Sequence, residues 1–348
     1  MKKNVLSLVV LLAFVAQGFS QQIDMSLIPY RQGNKWGFAS PDGKVVITPK
    51  YAEVGWFSEG YAAVKLGTKY GYVNRQGSMV IPAKYTVAKS FRKGFLPRIG
   101  KEGGDSVLFA GASLVKGGYE ICINIKGAKM PKCPAISENS VAENRVPVET
   151  VIKEKKYTVP NSSGLFDKII DDYKMTNSDE TYYIAVKGNR YGVFNTKFET
   201  IVPFEYDSIR LVRATTPYLE VKKGNMFGVT NGAGQVRIQP ENDQVFSVRA
   251  LDGKDYVIVK RGGRTYVKDP ENNDIISKGY SDIVYDGKGG FVLTGDDNTR
   301  GYYFTNRRLV APKYSDIKIV DGTDYLLIKT FNGKLGYISS AGNEYFVE

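Results

Sequence analysis

Two sets of charged residues recur along this chain where they could do chemistry. Glu53, Asp167, Asp207, Asp282 and Asp316 each follow a loop aromatic by one or two residues. Two carboxylates facing each other across a cleft would suit a glycan hydrolase, one as acid and one as base or nucleophile. A carboxylate repeated at the same place in successive segments points instead to a structural task, accepting turn amides as in an Asx-turn. Lys65, Lys187, Lys222, Lys260 and Lys329 close five similar strand-like runs. If the segments superimpose, these lysines form a basic row for an anionic partner, although lysine at strand ends also blunts sheet edges against unwanted pairing.

The chain has no histidine, which removes the commonest general base, the Ser-His and Cys-His nucleophile arrangements, and most zinc sites. No cofactor or metal is implied. Ser90–Lys93 and Ser113–Lys116 match a Ser-x-x-Lys spacing but lack the Lys-Thr-Gly that accompanies it in acylating enzymes. The acidic stretches "DPENND" and "GDDN" lack the spacing of a calcium loop and read as turns. Cys122 and Cys133 are close in sequence and are expected to form a disulfide worth about 2–3 kcal/mol.

Compartment follows from the N-terminus. Lys2 and Lys3, the apolar run Val5–Val15, and the small residues Gly18 and Ser20 form an expected signal peptide over residues 1–20. That run is shorter than the roughly 20 residues that span a bilayer. The mature chain is expected outside the cytoplasm: periplasmic, outer-membrane-associated or secreted. Removing the two lysines lowers the net charge from +12 to +10. A protein or anionic glycan partner is compatible with that surplus, whereas nucleic acid is not expected for an exported protein.

What positions the recurrent residues is a repeat. An aromatic-glycine pair, or a drifted form of it, recurs at Trp36-Gly37, Tyr70-Gly71, Tyr191-Gly192 and Phe227-Gly228, then at Gly301 and Gly336. A worn copy lies near "GRTYVKDPENNDII", with Thr265 in the glycine's place. About fourteen residues on stands Tyr51, Tyr85, Tyr206, Tyr280 or Tyr314, usually after a proline. One unit reads as two short strands around a turn ("PDG"), a proline that stops the second strand, and a returning third strand such as "YAAVK" or "YVIVK". Helical periodicity is confined to residues 165–175. The expected fold is all-β: a tandem array of ~36-residue antiparallel units, closed like a propeller or running open. Glycine between large rings would let a neighbouring unit's ring lie against the backbone, with Trp36 in the core.

These units resemble WG (KWG) repeats, of which "KWGFASPDGKVVITPKY" is the best copy. The resemblance covers residues 30–90 and 190–348 well and brings no catalytic residues. It implies an exported bacterial repeat protein. The expected layout is a signal peptide at 1–20, an N-terminal lobe at 21–118, an irregular insertion at 119–160 with both cysteines, and a C-terminal array at 161–348. The leading expectation is a non-enzymatic binding or scaffold protein of the cell envelope. The alternative is a carboxylate-based glycan hydrolase with its site in the insertion or on one rim.

Overall fold

The computed structural model describes residues 23–97, 104–136, 164–176, 178–214 and 216–348. The expected signal peptide and most of the insertion beyond residue 136 lie outside the described residues. Among the described residues every regular element is a strand, and the strands form eight sheets. The all-β, antiparallel repeat architecture expected from the sequence is the one that forms. Two compact units divide the chain, residues 1–149 with 345–348 and residues 150–344.

In the first unit, sheet one comprises Ile28–Gln32, Lys35–Ala39 and Val45–Tyr51, with Phe346–Val347 added in parallel beside Ile28–Gln32. Sheet two is built on Tyr61–Leu66, Lys69–Asn74 and Met79–Tyr85. Sheet three holds Val87–Ala88, Arg92–Pro97, Gly104–Ser113 and Ile121–Ile123. Residues 119–136 of the expected insertion are therefore part of this unit, and Cys122 and Cys133 are bonded there, with Cα atoms 5.3 Å apart.

The second unit repeats one pattern. Sheet four is Lys168–Lys174, Thr181–Lys187, Arg190–Asn195 and Thr200–Tyr206; sheet five is Ser208–Val212, Tyr218–Lys223, Met226–Asn231 and Val236–Asn242. Sheet six is Gln244–Arg249, Asp255–Arg261, Arg264–Lys268 and Asp274–Tyr280; sheet seven is Asp282–Tyr285, Gly290–Thr294, Arg300–Phe304 and Leu309–Tyr314. Sheet eight has the three strands Asp316–Ile319, Tyr325–Lys329 and Leu335–Ser339. The four strands of sheets four to seven correct the expected three, because the short run after each loop tyrosine pairs rather than forming a loop. The run at 165–175 is likewise a strand, Lys168–Lys174, whose partner supplies ladder bonds that a local helical pattern cannot reveal.

Successive sheets share their cores. Phe38, Ile47 and Tyr51 of sheet one pack with Phe57, Ala62, Val64 and Val73 of sheet two. Tyr173, Val193 and Tyr206 of sheet four pack with Ile209, Leu219 and Val221 of sheet five. Within each unit, neighbouring sheets thus bury faces on each other, as repeat units must.

The repeat glycine has a different task from the expected one. Trp36 pairs with Tyr51 and Phe38 with Ile47, so three residues of the outer strand oppose Gly37 alone. That is a bulge with two extra residues. A Cβ on Gly37 would lie 2.7 Å from the Pro49 nitrogen and closer still to the Ile47 carbonyl oxygen. Gly71, Gly228 and Gly301 face the same backbone of the next strand in their own sheets, and Gly192 faces the Phe204 ring. The contact is therefore within a sheet and not between units. Trp36 is half-buried rather than core. Pro49 does not stop its strand; it sits in the bulge of an edge strand, where no ladder donor is needed.

Sheet six transposes the arrangement. Thr265 pairs with Tyr280, so Thr265 stands in the aromatic's place and Tyr266 in the glycine's, which corrects the expected alignment. The glycine has moved across the bulge to Gly279, where a Cβ would lie 2.8 Å from the Tyr266 hydroxyl oxygen.

Candidate functional site

The recurrent acids are spent on structure. Asp167, Asp207 and Asp243 accept the hairpin-turn amides of Gly188, Gly224 and Gly262 at 2.8, 2.6 and 2.9 Å. Glu53 accepts from Lys65 at 2.6 Å and from the Tyr70 hydroxyl, and these two bonds hold its carboxyl below the usual range. Asp282 pairs with Lys260 at 3.0 Å, and Asp316 accepts the Ile317 amide at 2.9 Å.

The lysines do not make one row. Lys65 belongs to the first unit and Lys187, Lys222, Lys260 and Lys329 to the second. Lys65, Lys222, Lys260 and Lys329 share one register position, opposite Tyr70, Phe227, Thr265 and Leu335. In sheet four that position is Val186, opposite Tyr191; Lys187 is one residue further and on the other face. Lys222 lies over the Phe227 ring at 5.5 Å. Lys65 and Lys260 are salt-bridged to Glu53 and Asp282, so only part of the set carries uncompensated charge.

The loop ends of sheets five, six and seven build a more open feature, a cavity of about 380 Å³. Its apolar surface comes from Pro217, Tyr218, Tyr256, Pro270 and Ile275, and its rim from Thr216, Lys254, Asp255, Glu271, Thr305 and Arg307. Tyr218 and Tyr256 hold equivalent places at the start of their strands, the first and second residues, and their rings are 2% and 4% exposed, because each belongs to the core between sheets. Burial pushes the Tyr218 phenol up to about 12, tempered by nearby Ser247, and burial plus the Asp252 carboxylate raises that of Tyr256.

Every carboxylate lining the cavity is occupied. Asp255 takes Arg249 at 3.2 and 3.1 Å, and Glu271 pairs with Arg237 at 2.8 Å. Asp269 accepts the Glu271 and Asn273 amides at 3.0 and 2.8 Å and the Asn273 side-chain amide at 2.8 Å. That is the recurring turn of this fold: Asn74, Asn124, Asn195 and Asn231 accept amides two and four residues on in the same way. "DPENND" is thus a turn, and among the described residues no acidic cluster could hold a metal ion. Lys254 pairs with Asp252 at 3.3 Å. Burial raises the Asp252 carboxyl, but the Lys254 amide and side chain and the Tyr256 hydroxyl pull it below its ordinary value.

Of the cavity residues, only Asp269, Pro270 and Glu271 were weighed from the sequence, as part of a possible calcium turn that was set aside. The available signal was two prolines outside the repeat's own proline position, Pro217 and Pro270, each beside a strand end.

The family described as WG containing repeat matches residues 36–70, 70–97 and 191–213, so WG repeats occur in both units. No curated protein matches the sequence. Solved structures that align with the chain include a eukaryotic initiation factor, at 13% identity and TM-score 0.31 over 93% of this chain and 95% of that one. The Dos1 propeller aligns at 11% identity and TM-score 0.26, over 84% of this chain and 79% of that one. Hsv2 of Kluyveromyces lactis aligns at 10% identity and TM-score 0.24, over 83% and 94%. Among the described residues no helix is long and apolar enough to cross a membrane.

Proposed function

We propose that the chain is an exported binding scaffold that holds a protein partner in the loop-end cavity of its second unit. The observation that carries this reading is the cavity itself, about 380 Å³ with an apolar floor and a polar rim, within the usual size of ligand pockets. Export is supported by the charged head and apolar run at residues 1–20 and by the Cys122–Cys133 bond, since disulfides persist in oxidising compartments. A repeat array suits the task because its strands fix the backbone while its turns vary.

The glycan hydrolase reading has less support. It requires one free carboxylate and one carboxyl with a raised pKa flanking a bond. Asp255, Asp269 and Glu271 are instead tied to arginines or turn amides.

Affinity capture from envelope extract, comparing the native chain with Thr216→Arg/Thr305→Arg, tests the proposal. Both sites border the cavity, so the arginines fill its mouth. Partners captured by the native chain and lost with the filled cavity are expected. Capture of the same proteins by both would remove the cavity from the function, and capture of none would refute the scaffold reading.

A further inference from the structure

Eight turns, each following an aromatic-glycine-type strand or its counterpart, make Arg307 stand out among the described turns of this geometry. In each, the fourth residue donates its amide to the carbonyl of the first: Gly43 to Ser40, Gly77 to Asn74, Gly127 to Asn124, Phe198 to Asn195, Gly234 to Asn231, Asn272 to Asp269, Arg307 to Phe304 and Gly342 to Ser339. All eight have positive φ, between 64° and 93°. This left-handed conformation favours glycine, and a bulky L-residue there costs about 1–2 kcal/mol. Glycine fills five of the eight positions. Asn272 is a residue that tolerates the conformation, and Phe198 stacks on Phe194 at 5.9 Å. Arg307 has no such offset. Among the described residues its guanidinium has no ion pair or hydrogen bond; its charge lowers the neighbouring Tyr303 phenol against burial.

Strain kept where the turn does not need it points to use by a ligand. The cavity beside Arg307 offers donors in excess. Its acids are spent, whereas the hydroxyls of Thr216 and Thr305 and the Arg307 guanidinium make no side-chain hydrogen bond among the described residues. Tyr218 is 2% exposed, and its hydroxyl has no partner within hydrogen-bond geometry. Ser247 gives its own hydrogen to Glu220. Pro217, Pro270 and Ile275 supply an aliphatic wall. Sugar recognition by stacking needs exposed ring faces, and Tyr218 and Tyr256 present almost none.

We infer that the cavity binds a peptide segment carrying a carboxylate next to an apolar side chain. The carboxylate meets the Arg307 guanidinium, whose planar fork suits bidentate pairing. The apolar side chain lies against Pro217, Pro270 and Ile275. This inference rests on the cavity being the binding face.

An immobilised array of octapeptides, with every ordered pair of amino acids at two central positions flanked by glycine and serine, tests it. The native chain is expected to bind spots that pair Asp or Glu with Leu, Ile, Val or Phe, and not the Asn or Gln counterparts. Arg307→Gly is the decisive variant, because it restores the residue most of these turns carry. It is expected to melt higher than the native chain while its affinity for the same peptides falls about tenfold or more. Isovalerate, an apolar acid without a peptide backbone, is expected to compete only in large excess. Equal binding of acid and amide peptides, no peptide binding, undiminished binding by Arg307→Gly, or isovalerate binding as tightly as peptide would each overturn the inference. Preferential binding of a neutral oligosaccharide would do the same. Loss of peptide binding with partner capture intact would refute the ligand class while leaving the scaffold reading standing.

Discussion

Replacing Gly228 by alanine places a methyl carbon 2.7 Å from the Pro240 nitrogen and 2.9 Å from the Gln239 carbonyl carbon, and nearer still to the Ile238 carbonyl oxygen. All three are backbone atoms of a bulge pinned on either side by the pairs Phe227–Asn242 and Val229–Ile238. No side chain can swing away, so strand or bulge must move, at an overpacking cost of about 1–3 kcal/mol. For a unit of the size of residues 150–344, each kcal/mol shifts the melting midpoint by roughly 2–4 °C. A loss of about 2–12 °C is expected by differential scanning calorimetry. Gly289→Ala is the control, since its Cβ meets only ordinary contacts beginning at 3.4 Å and its φ is not left-handed. There the reduced freedom of the unfolded chain should leave stability equal or about 0.4–1 kcal/mol higher.

The transposed glycine of sheet six sharpens the same test. Gly279→Ala alone drives a methyl carbon against the Tyr266 ring, whereas Gly279→Ala with Tyr266→Gly restores the arrangement of the other sheets. A double-mutant cycle should give a favourable coupling on the order of 1 kcal/mol. If Gly228→Ala melts no lower than Gly289→Ala, or the cycle shows no coupling, the bulge does not press on these strands and the account of the repeat glycine fails.

Three further outcomes follow from particular contacts. Tyr345 is fully buried and donates to the Pro41 carbonyl at 2.6 Å, so Tyr345→Phe should cost the first unit about 1 kcal/mol in urea unfolding. Reducing the Cys122–Cys133 bond, which closes a loop across 11 residues, should cost that unit about 3 kcal/mol, read as faster proteolysis of residues 23–136. Burial raises the phenols of Tyr72, Tyr173, Tyr218, Tyr256 and Tyr302, that of Tyr218 to about 12. An unfolded tyrosine ionises near 10, so their stabilising contribution is complete below about pH 10 and is lost as pH rises through the folded values. Phenolate absorbance of these five should therefore appear only as the fold gives way.

Much of the fold was legible because its signals are local. Gly188 and Asn189 both take left-handed φ in a two-residue hairpin turn, and aromatic-glycine pairs mark sheets one, two, four and five. Register was not legible. Nothing in "TPKY" shows that three of its residues oppose one glycine, so Gly37 read as a contact between units and Pro49 as a strand end. The fourth strand was missed because runs such as "DIKI" are four residues long and pair only once the chain has crossed to the next sheet. Lys187 looked equivalent to Lys222 by spacing, yet one residue of offset puts it on the opposite face. Beyond Pro217 and Pro270 the cavity had no signature, since Thr216, Lys254, Pro270 and Arg307 lie on separate turns that only the stacking of sheets five, six and seven brings together.

The binding face is tested most directly by a photo-crosslinking amino acid at Thr216, on the cavity rim, with Met226 as comparison. Met226 is exposed in the same sheet but starts its strand at the hairpin end, away from the cavity. Irradiated in cells, the Thr216 position is expected to give adducts with a protein partner and the Met226 position none. Adducts from Met226 alone, from both positions alike, or from neither would contradict a partner held at this cavity.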